Sequence, residues 1–207
     1  MFLYKHAMGE IAVLIPAAGA SRRMRGTDKL LMEVEGRPLL RRQCEEALRV
    51  ADHVAVALPG HDHPRIKALA GLPVQVIEVP DAALGMSSSL RRGVGMLPKG
   101  MEGVMILPAD MPDITAEDIA SVIDAFRLVP RPTLQQGTSE DGRPGHPVLF
   151  PADCFPALQN LSGDMGARAV LTRNAHRVRY VPLPGCHALT DLDTPEAWEA
   201  WTAKVAC

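Results

Sequence analysis

The chain has 207 residues, of which 47% are hydrophobic and 22% charged, with a formal net charge of -2. That length suits one α/β domain with a sizeable core and is short for two. The near-balanced charge excludes a global basic field for DNA or RNA, so any polyanion site must be local, and the longest apolar run, IAVLIPAA, is far too short to span a bilayer.

Four cysteines, Cys44, Cys154, Cys186 and Cys207, form no CxxC pair. Such spacing fits reduced thiols better than a disulfide framework or a zinc site. The opening MFLYKHAMGE lacks the charged and apolar regions and the cleavage site of a secretory signal. A cytoplasmic protein without membrane or nucleic-acid partners is expected.

In chain order, IAVLIPA from Ile11 reads as a buried strand, apolar and β-branched, broken by small residues. After a polar loop, 37–51 reads as a helix with Pro38 in its first turn. HVAVAL is a second strand, stopped by Pro59-Gly60, and 64–71 is a short helix closed by Gly71. PVQVIEV is a third strand, and 87–97 a helix weakened by Gly93 and Gly95. GVMILPAD is a fourth strand ending at Asp110. The helix at 115–126 has Thr115 as N-cap with Asp118 three residues on. Farther along, TLQQGT and HPVLF read as strands around a polar turn. Two helical pieces follow (151–161 and 164–174), then the strand RVRYVPL and a final helix opened by Pro195.

Four apolar strands separated by helices predict a Rossmann-like, three-layer α/β/α architecture with a mainly parallel sheet. Right-handed crossovers bring the C-terminal strand ends to one edge, where open α/β sheets bind ligands. The loop after the first strand, Pro59-Gly60 and Asp110 are expected there. With neither repeat nor linker, 1–207 reads as one domain, with a nucleotide-binding half at about 10–112 and an acceptor half at about 113–207.

The first loop, AAGASRRMRGTDK, is neither a GxxxxGK nor a GxGxxG loop. It still suits an anion. Ala17, Ala18 and Gly19 permit close backbone approach, Ser21 adds a hydroxyl, and Arg22, Arg23, Arg25 and Lys29 are cations. A triphosphate, with about four negative charges, needs several such cations, although a solvated basic loop has the same composition. Asp110 at a strand end is the usual provision for Mg²⁺, which takes its other ligands from water and phosphates; a loop cap is the plainer reading. Asp191 and Asp193, two residues apart, point the same way if extended and suit a second metal contact, or Asp193 caps the helix at Pro195. Gly85, with Ser87 and Ser89 at a helix start, can contact a ribose or phosphate or act as a simple cap. Gly145, His146, Pro147, Gly163, Asp164 and Arg168 lie in segments suited to a second substrate. The pair His61 and His63 reads as an exposed loop, lacking further ligands at metal spacing. No Ser-His-Asp or GxSxG pattern occurs. A phosphate nucleophile needs no strong general base, so positioning and charge stabilisation suffice.

Taken together the motifs resemble the nucleotidyltransferase family that includes molybdenum cofactor cytidylyltransferase and its guanylyltransferase relatives. The matching segments are AAGASRRMRGTDKLL, GMSSSL, LPADMP, GHPVLF, GDMGAR and DLDTPE, in order over almost the whole chain. The resemblance implies the nucleotide-diphospho-sugar transferase type of fold and transfer of CMP from CTP to the terminal phosphate of molybdopterin cofactor, with Mg²⁺, or Mn²⁺ in its place, as cofactor. It assigns Ala17, Ala18, Gly19, Ser21, Arg23, Lys29, Pro59, Gly85, Ser87 and Ser89 to the nucleotide. Arg23, Lys29 and Asp110 become catalytic, with Asp110 and Asp191 or Asp193 on the metal. Gly145, His146, Pro147, Gly163, Asp164 and Arg168 would face the pterin. A molybdoenzyme or its maturation chaperone is the implied downstream partner. Arg25 departs from the pattern, standing where the family has glycine. Transfer from GTP, a sugar or polyol phosphate acceptor, and a non-catalytic cofactor-handling chaperone are the competing readings.

Overall fold

The computed structural model describes residues 10–129, 132–163 and 166–205. Its strands are β1 (Ile11–Pro16), β2 (Glu33–Val34), β3 (Arg37–Pro38), β4 (His53–Leu58), β5 (Gln75–Glu78), β6 (Gly103–Ile106), β7 (Leu134–Thr138), β8 (Pro144–Pro151) and β9 (Val178–Pro182). The α-helices are α1 (Leu39–Leu48), α2 (Met86–Gly95), α3 (Ala116–Arg127), α4 (Phe155–Gln159), α5 (Arg168–Arg173) and α6 (Pro195–Val205). Seven strands form one sheet in the order β5-β4-β1-β6-β8-β7-β9, and β2 and β3 form a separate small hairpin. The sheet is mainly parallel. Only β8 runs against its neighbours β6 and β7.

The central strand β1 explains the layers. Ile11, Val13 and Ile15 pack into one core with Leu40, Cys44 and Ala47 of α1 and Ile119, Val122 and Ile123 of α3. Ala12 and Leu14 point the opposite way, into a second core with Leu90 and Val94 of α2, Leu158 of α4 and Val170 of α5. Alternate residues of a strand face opposite sides, and a strand apolar at both parities must be covered on both. The three-layer α/β/α expectation holds.

Several elements differ from the sequence reading: the piece read as a helix at 151–161 is the end of β8 at Pro151, a 3-10 turn at Ala152–Cys154 and then α4, and the piece at 164–174 has its α-helix over Arg168–Arg173. Helix α1 begins at Leu39, not 37, because Arg37 and Pro38 pair with Val34 and Glu33 in the small hairpin. Pro38 therefore sits at the N-cap rather than in the first turn. The segment at 64–71 is a 3-10 helix, Pro64–Leu69, not an α-turn run. Thr115 and Asp118 make the reciprocal capping box anticipated for α3.

Register positions the functional edge. Pro16 of β1 lies opposite Ala57 of β4, and Leu14 lies opposite Ile106 of β6. The chain crosses from β1 to β4 on one side and returns to β6 on the other. The loops after these three strands share one edge at that switch point, where open α/β sheets bind ligands. Among the described residues no helix is long and apolar enough to cross a membrane.

Candidate active site

The loop after β1 is held from several directions. The Ala17 N–H donates to the Ala57 carbonyl at 2.9 Å, so the sheet uses that donor, and Ala17 and Ala18 are buried. Gly19 is the first exposed residue of the loop among those assigned to the nucleotide. Ser21 adopts a left-handed conformation with φ 48° and opens a short 3-10 turn, Arg22–Met24. Met24 then anchors the loop in a third apolar cluster with Val34, Leu39, Leu192 and Trp198.

Arg25 and Gly26 both have positive φ, 51° and 96°, and the Thr27 N–H closes the turn on the Met24 carbonyl at 3.0 Å. Two successive positive φ angles are the signature of a primed turn, which favours glycine. Glycine in place of Arg25 is therefore understandable on backbone grounds. Arg25 itself reaches α6, pairing with Glu196 at 2.5 Å.

The charged centre lies just beyond. The Lys29 ammonium donates to Asp110 Oδ2 and, at 2.5 Å, to Asp193 Oδ1. Arg23 reaches the other oxygen of Asp193, also at 2.5 Å. Burial alone would lower the Lys29 pKa, but Asp110 and Asp193 outweigh it and hold the ammonium above its ordinary range. Burial pushes against ionised Asp193 too, and there the Lys29 hydrogen bond and charge prevail, aided by Arg23, so its pKa falls. Among the described residues Asp191 has no such cation. Burial first, then Asp193 and Asp110, push its pKa up.

Long-range backbone contacts assemble this centre. The Leu192 N–H donates to the Asp110 carbonyl at 3.0 Å, laying the Asp191-Leu192-Asp193 turn beside the end of β6. Thr194, not Asp193, caps α6, its hydroxyl accepting from the Ala197 N–H at 3.2 Å. Asp193 is thereby available to the cations. Trp201 Nε1 donates to Asp113 at 2.7 Å and ties α6 to the same loop.

Among the described residues, no three His, Cys, Asp or Glu side chains stand close enough to enclose a metal. The donor set nevertheless fits a divalent cation of the Mg²⁺ type. Asp110 and Asp193 already converge on one cation, the Lys29 ammonium, and Asp191 lies on the same turn as Asp193. One or two carboxylates, completed by phosphate oxygens, is how Mg²⁺ is usually bound.

The remaining assigned residues are distributed around this edge. Pro59 and Gly60 follow β4, half-buried. Gly85, at φ 109°, immediately precedes α2, whose first turn buries Ser87 and Ser89. Gly145 packs so tightly that a Cβ there would run into the Ala188 carbonyl oxygen. The His146 N–H donates to that same carbonyl at 2.9 Å, and a cis peptide bond joins His146 to Pro147. Burial pushes the His146 pKa down, with the charge of Asp110 partly opposing, and its Nδ1 is buried with no partner among the described residues. Gly163 and Arg168 are exposed, Arg168 opening α5. Asp164 lies outside the described residues.

Comparison with known proteins bears on this geometry. A family model described as the MobA-like NTP transferase domain matches residues 13–178, most of the chain. The chain belongs to that family. Among curated relatives, a bifunctional protein GlmU of Mycobacterium ulcerans is 33% identical over 125 residues, covering 56% of this chain and 25% of the relative. The chain thus matches about a quarter of the length of the GlmU relatives. A solved homolog of Mycobacterium tuberculosis rv0371c, from mycobacterium sp. strain JC1, superposes with a TM-score of 0.82 at 29% identity, covering 95% of this chain and 96% of that one. Rv0371c of Mycobacterium tuberculosis itself, solved in complex with manganese, gives 0.76 at 24% identity over 92% and 97%. A CMP:2-keto-3-deoxy-manno-octonic acid synthetase complexed with CTP gives 0.74 at 18% identity over 95% and 98%. The fold is that of the nucleotide-diphospho-sugar transferases, and the nucleotidyltransferase class read from the motifs stands at the level of this MobA-like family.

Two residues central to the geometry escape sequence reasoning. Arg65, in the 3-10 turn after β4, is only 2% exposed and forms a bidentate pair with Asp28. An arginine in the first turn of a short helix gives no local signal of burial. Asp28 reads as one more loop residue, although its carboxylate also accepts from the Leu30 N–H at 3.1 Å, fixing the turn that carries Lys29.

Proposed function

We propose that the protein transfers CMP from CTP to the terminal phosphate of a molybdopterin-type acceptor, releasing pyrophosphate. The observation that carries this reading is the convergence of Lys29 and Arg23 from the first loop with Asp110 and Asp193 at the switch point of the sheet. The six motifs in order support the pterin acceptor, and the presence of a CTP-complexed enzyme among proteins of this fold supports the cytidine nucleotide.

In this mechanism an oxygen of the acceptor phosphate attacks the α-phosphorus of CTP. An O–P bond forms as the bond from the α-phosphorus to the bridging oxygen breaks, and pyrophosphate leaves with that electron pair. Arg23 and Lys29 bind the β- and γ-phosphates and balance the charge that grows on the leaving group. Gly19 and Ser21 hold the phosphates at the loop, and Pro59, Gly85, Ser87 and Ser89 border the base and ribose. Asp110, with Asp191 or Asp193, would hold Mg²⁺ or Mn²⁺, which neutralises phosphate charge when bound. Gly145, His146, Pro147, Gly163, Asp164 and Arg168 are assigned to the acceptor. The nucleophile is already an anion, so no residue need remove a proton from it. The product would pass to a molybdoenzyme or its maturation chaperone, and residues 1–207 would act as one domain.

Pyrophosphate release, measured with each of the four nucleoside triphosphates, Mg²⁺ and molybdopterin cofactor, tests the proposal. CTP should give the highest kcat/KM. A preference for GTP refutes the cytidine assignment. Turnover only with a sugar or polyol phosphate refutes the pterin acceptor, and binding without turnover favours a cofactor-handling role.

A further inference from the structure

We infer that Arg65 is the positioning residue of the triphosphate loop. This deepens the function proposed above and rests on it. Arg65 is one of the largest fully buried side chains, and its guanidinium reaches three separate points of the loop. Nη1 donates to the Ala17 carbonyl at 2.5 Å, where β1 ends. Nη2 donates to Ser21 Oγ at 3.1 Å, at the left-handed residue that opens the turn bearing Arg23. Nε and Nη2 grip the Asp28 carboxylate at 2.8 Å each. Asp28 in turn caps the short helix that begins with Lys29.

The logic is geometric. Arg23 and Lys29 stand six residues apart in the sequence, on a loop that contains two glycines and whose apolar anchor, Met24, fixes one point between them but not the approach from β1 or the turn at Lys29. Nothing within 19–28 forms a regular element long enough to set their separation. Arg65 comes from a different crossover, after β4, and ties the beginning, middle and end of the loop to one rigid planar group. A guanidinium has five donors in a fixed fork, and a lysine could not span all three sites. Arg65 itself is too deeply buried to meet the substrate. It acts through Arg23 and Lys29.

Arg65→Lys keeps a cation beside Asp28 but loses the fork. Binding of CTP with Mg²⁺, measured by calorimetry, should weaken at least tenfold, and kcat should fall by up to about a hundredfold, the typical cost of ångström-scale misplacement. The KM for the acceptor should stay unchanged, because the acceptor loops are not attached to Arg65. A merely structural role would lower Tm and leave nucleotide affinity and kcat of the folded enzyme intact. That result overturns the inference. Should Arg65→Lys fail to fold, Asp28→Asn loosens the same grip with Arg65 in place. It should weaken CTP binding in the same direction while again sparing the acceptor KM, and unchanged CTP affinity overturns the inference equally. If the wild-type protein binds no nucleoside triphosphate, the proposed function falls and the inference with it. If wild type binds and both variants bind as tightly, only the inference falls.

Discussion

Replacing Lys29 by methionine tests the charged centre directly. Methionine keeps most of the volume and removes the side chain that bridges Asp110 and Asp193. The three side chains are 14%, 18% and 21% exposed. Removing one partner of a fully buried pair costs about 3–5 kcal/mol, and partial solvation here reduces that to roughly 2–3 kcal/mol at pH 8. For a chain of this size the expected fall in Tm is about 4–12 °C. The pH dependence has a definite sign. In the wild type, Asp193 has a lowered pKa, so its contribution is present at neutral pH and is lost only as pH falls through that depressed value. Asp191 has a raised pKa, so its ionisation opposes folding at neutral pH, and the penalty is relieved as pH falls through the raised value. Lys29, with its raised pKa, contributes stability below its ordinary pKa that is lost only as pH rises through the folded one. In Lys29→Met the carboxylates repel one another without that compensation. The gap in Tm from wild type should therefore narrow from pH 8 to pH 5 as they take up protons. Mg²⁺ or Mn²⁺ should also raise Tm more in the variant than in wild type. Calorimetric melting at both pH values, with and without metal, measures all of this. A variant melting within about one degree of wild type at pH 8, or a gap that widens on acidification, refutes the account.

Asp110→Ala should abolish metal-dependent pyrophosphate release while the protein still folds, because Lys29 retains Asp193; undiminished turnover removes Asp110 from the mechanism. Arg25→Gly should leave Tm unchanged or slightly higher, since relief of the left-handed backbone, worth about 1 kcal/mol, offsets an exposed ion pair of little value; a large loss of stability would mean that the contact with Glu196 holds α6 in place. Gly145→Ala should lower stability by about 1–3 kcal/mol in a denaturant titration, because the new methyl meets the backbone at Ala188 rather than a side chain that could turn aside. An unchanged midpoint would show that the 186–190 turn gives way without cost.

The legibility of this chain depended on how far apart the interacting residues are. Strands β1, β4, β5 and β6 stood out because each is a short apolar run bounded by small residues or proline, and the crossovers between them then determine a parallel sheet and its binding edge. Lys29, Asp110 and Asp193 were each nameable, but only as isolated charges with an equally good local explanation. By residue type alone, AAGASRRMRGTDK does not distinguish Arg23, which meets Asp193 in the DLDTP turn, from Arg25, which meets Glu196 on α6; only the resemblance sets Arg25 apart. In the fold the separation is made by the left-handed residues Ser21 and Arg25 and by the Leu192-to-Asp110 hydrogen bond, and the second of these is not local. Arg65 is the extreme case. Its partners lie 37 to 48 residues upstream, and its own neighbours, Pro64 and Ile66, describe only a short helix. A buried arginine is tolerable only when nearly every donor is matched, and that matching exists solely in the folded chain. Under the proposed function, then, the motifs name the residues that would approach the triphosphate, whereas the residue inferred to set their spacing carries no motif at all. It follows that grafting the first loop alone onto another α/β sheet should transfer the cations without their alignment, unless an arginine equivalent to Arg65 and its Asp28 partner go with it.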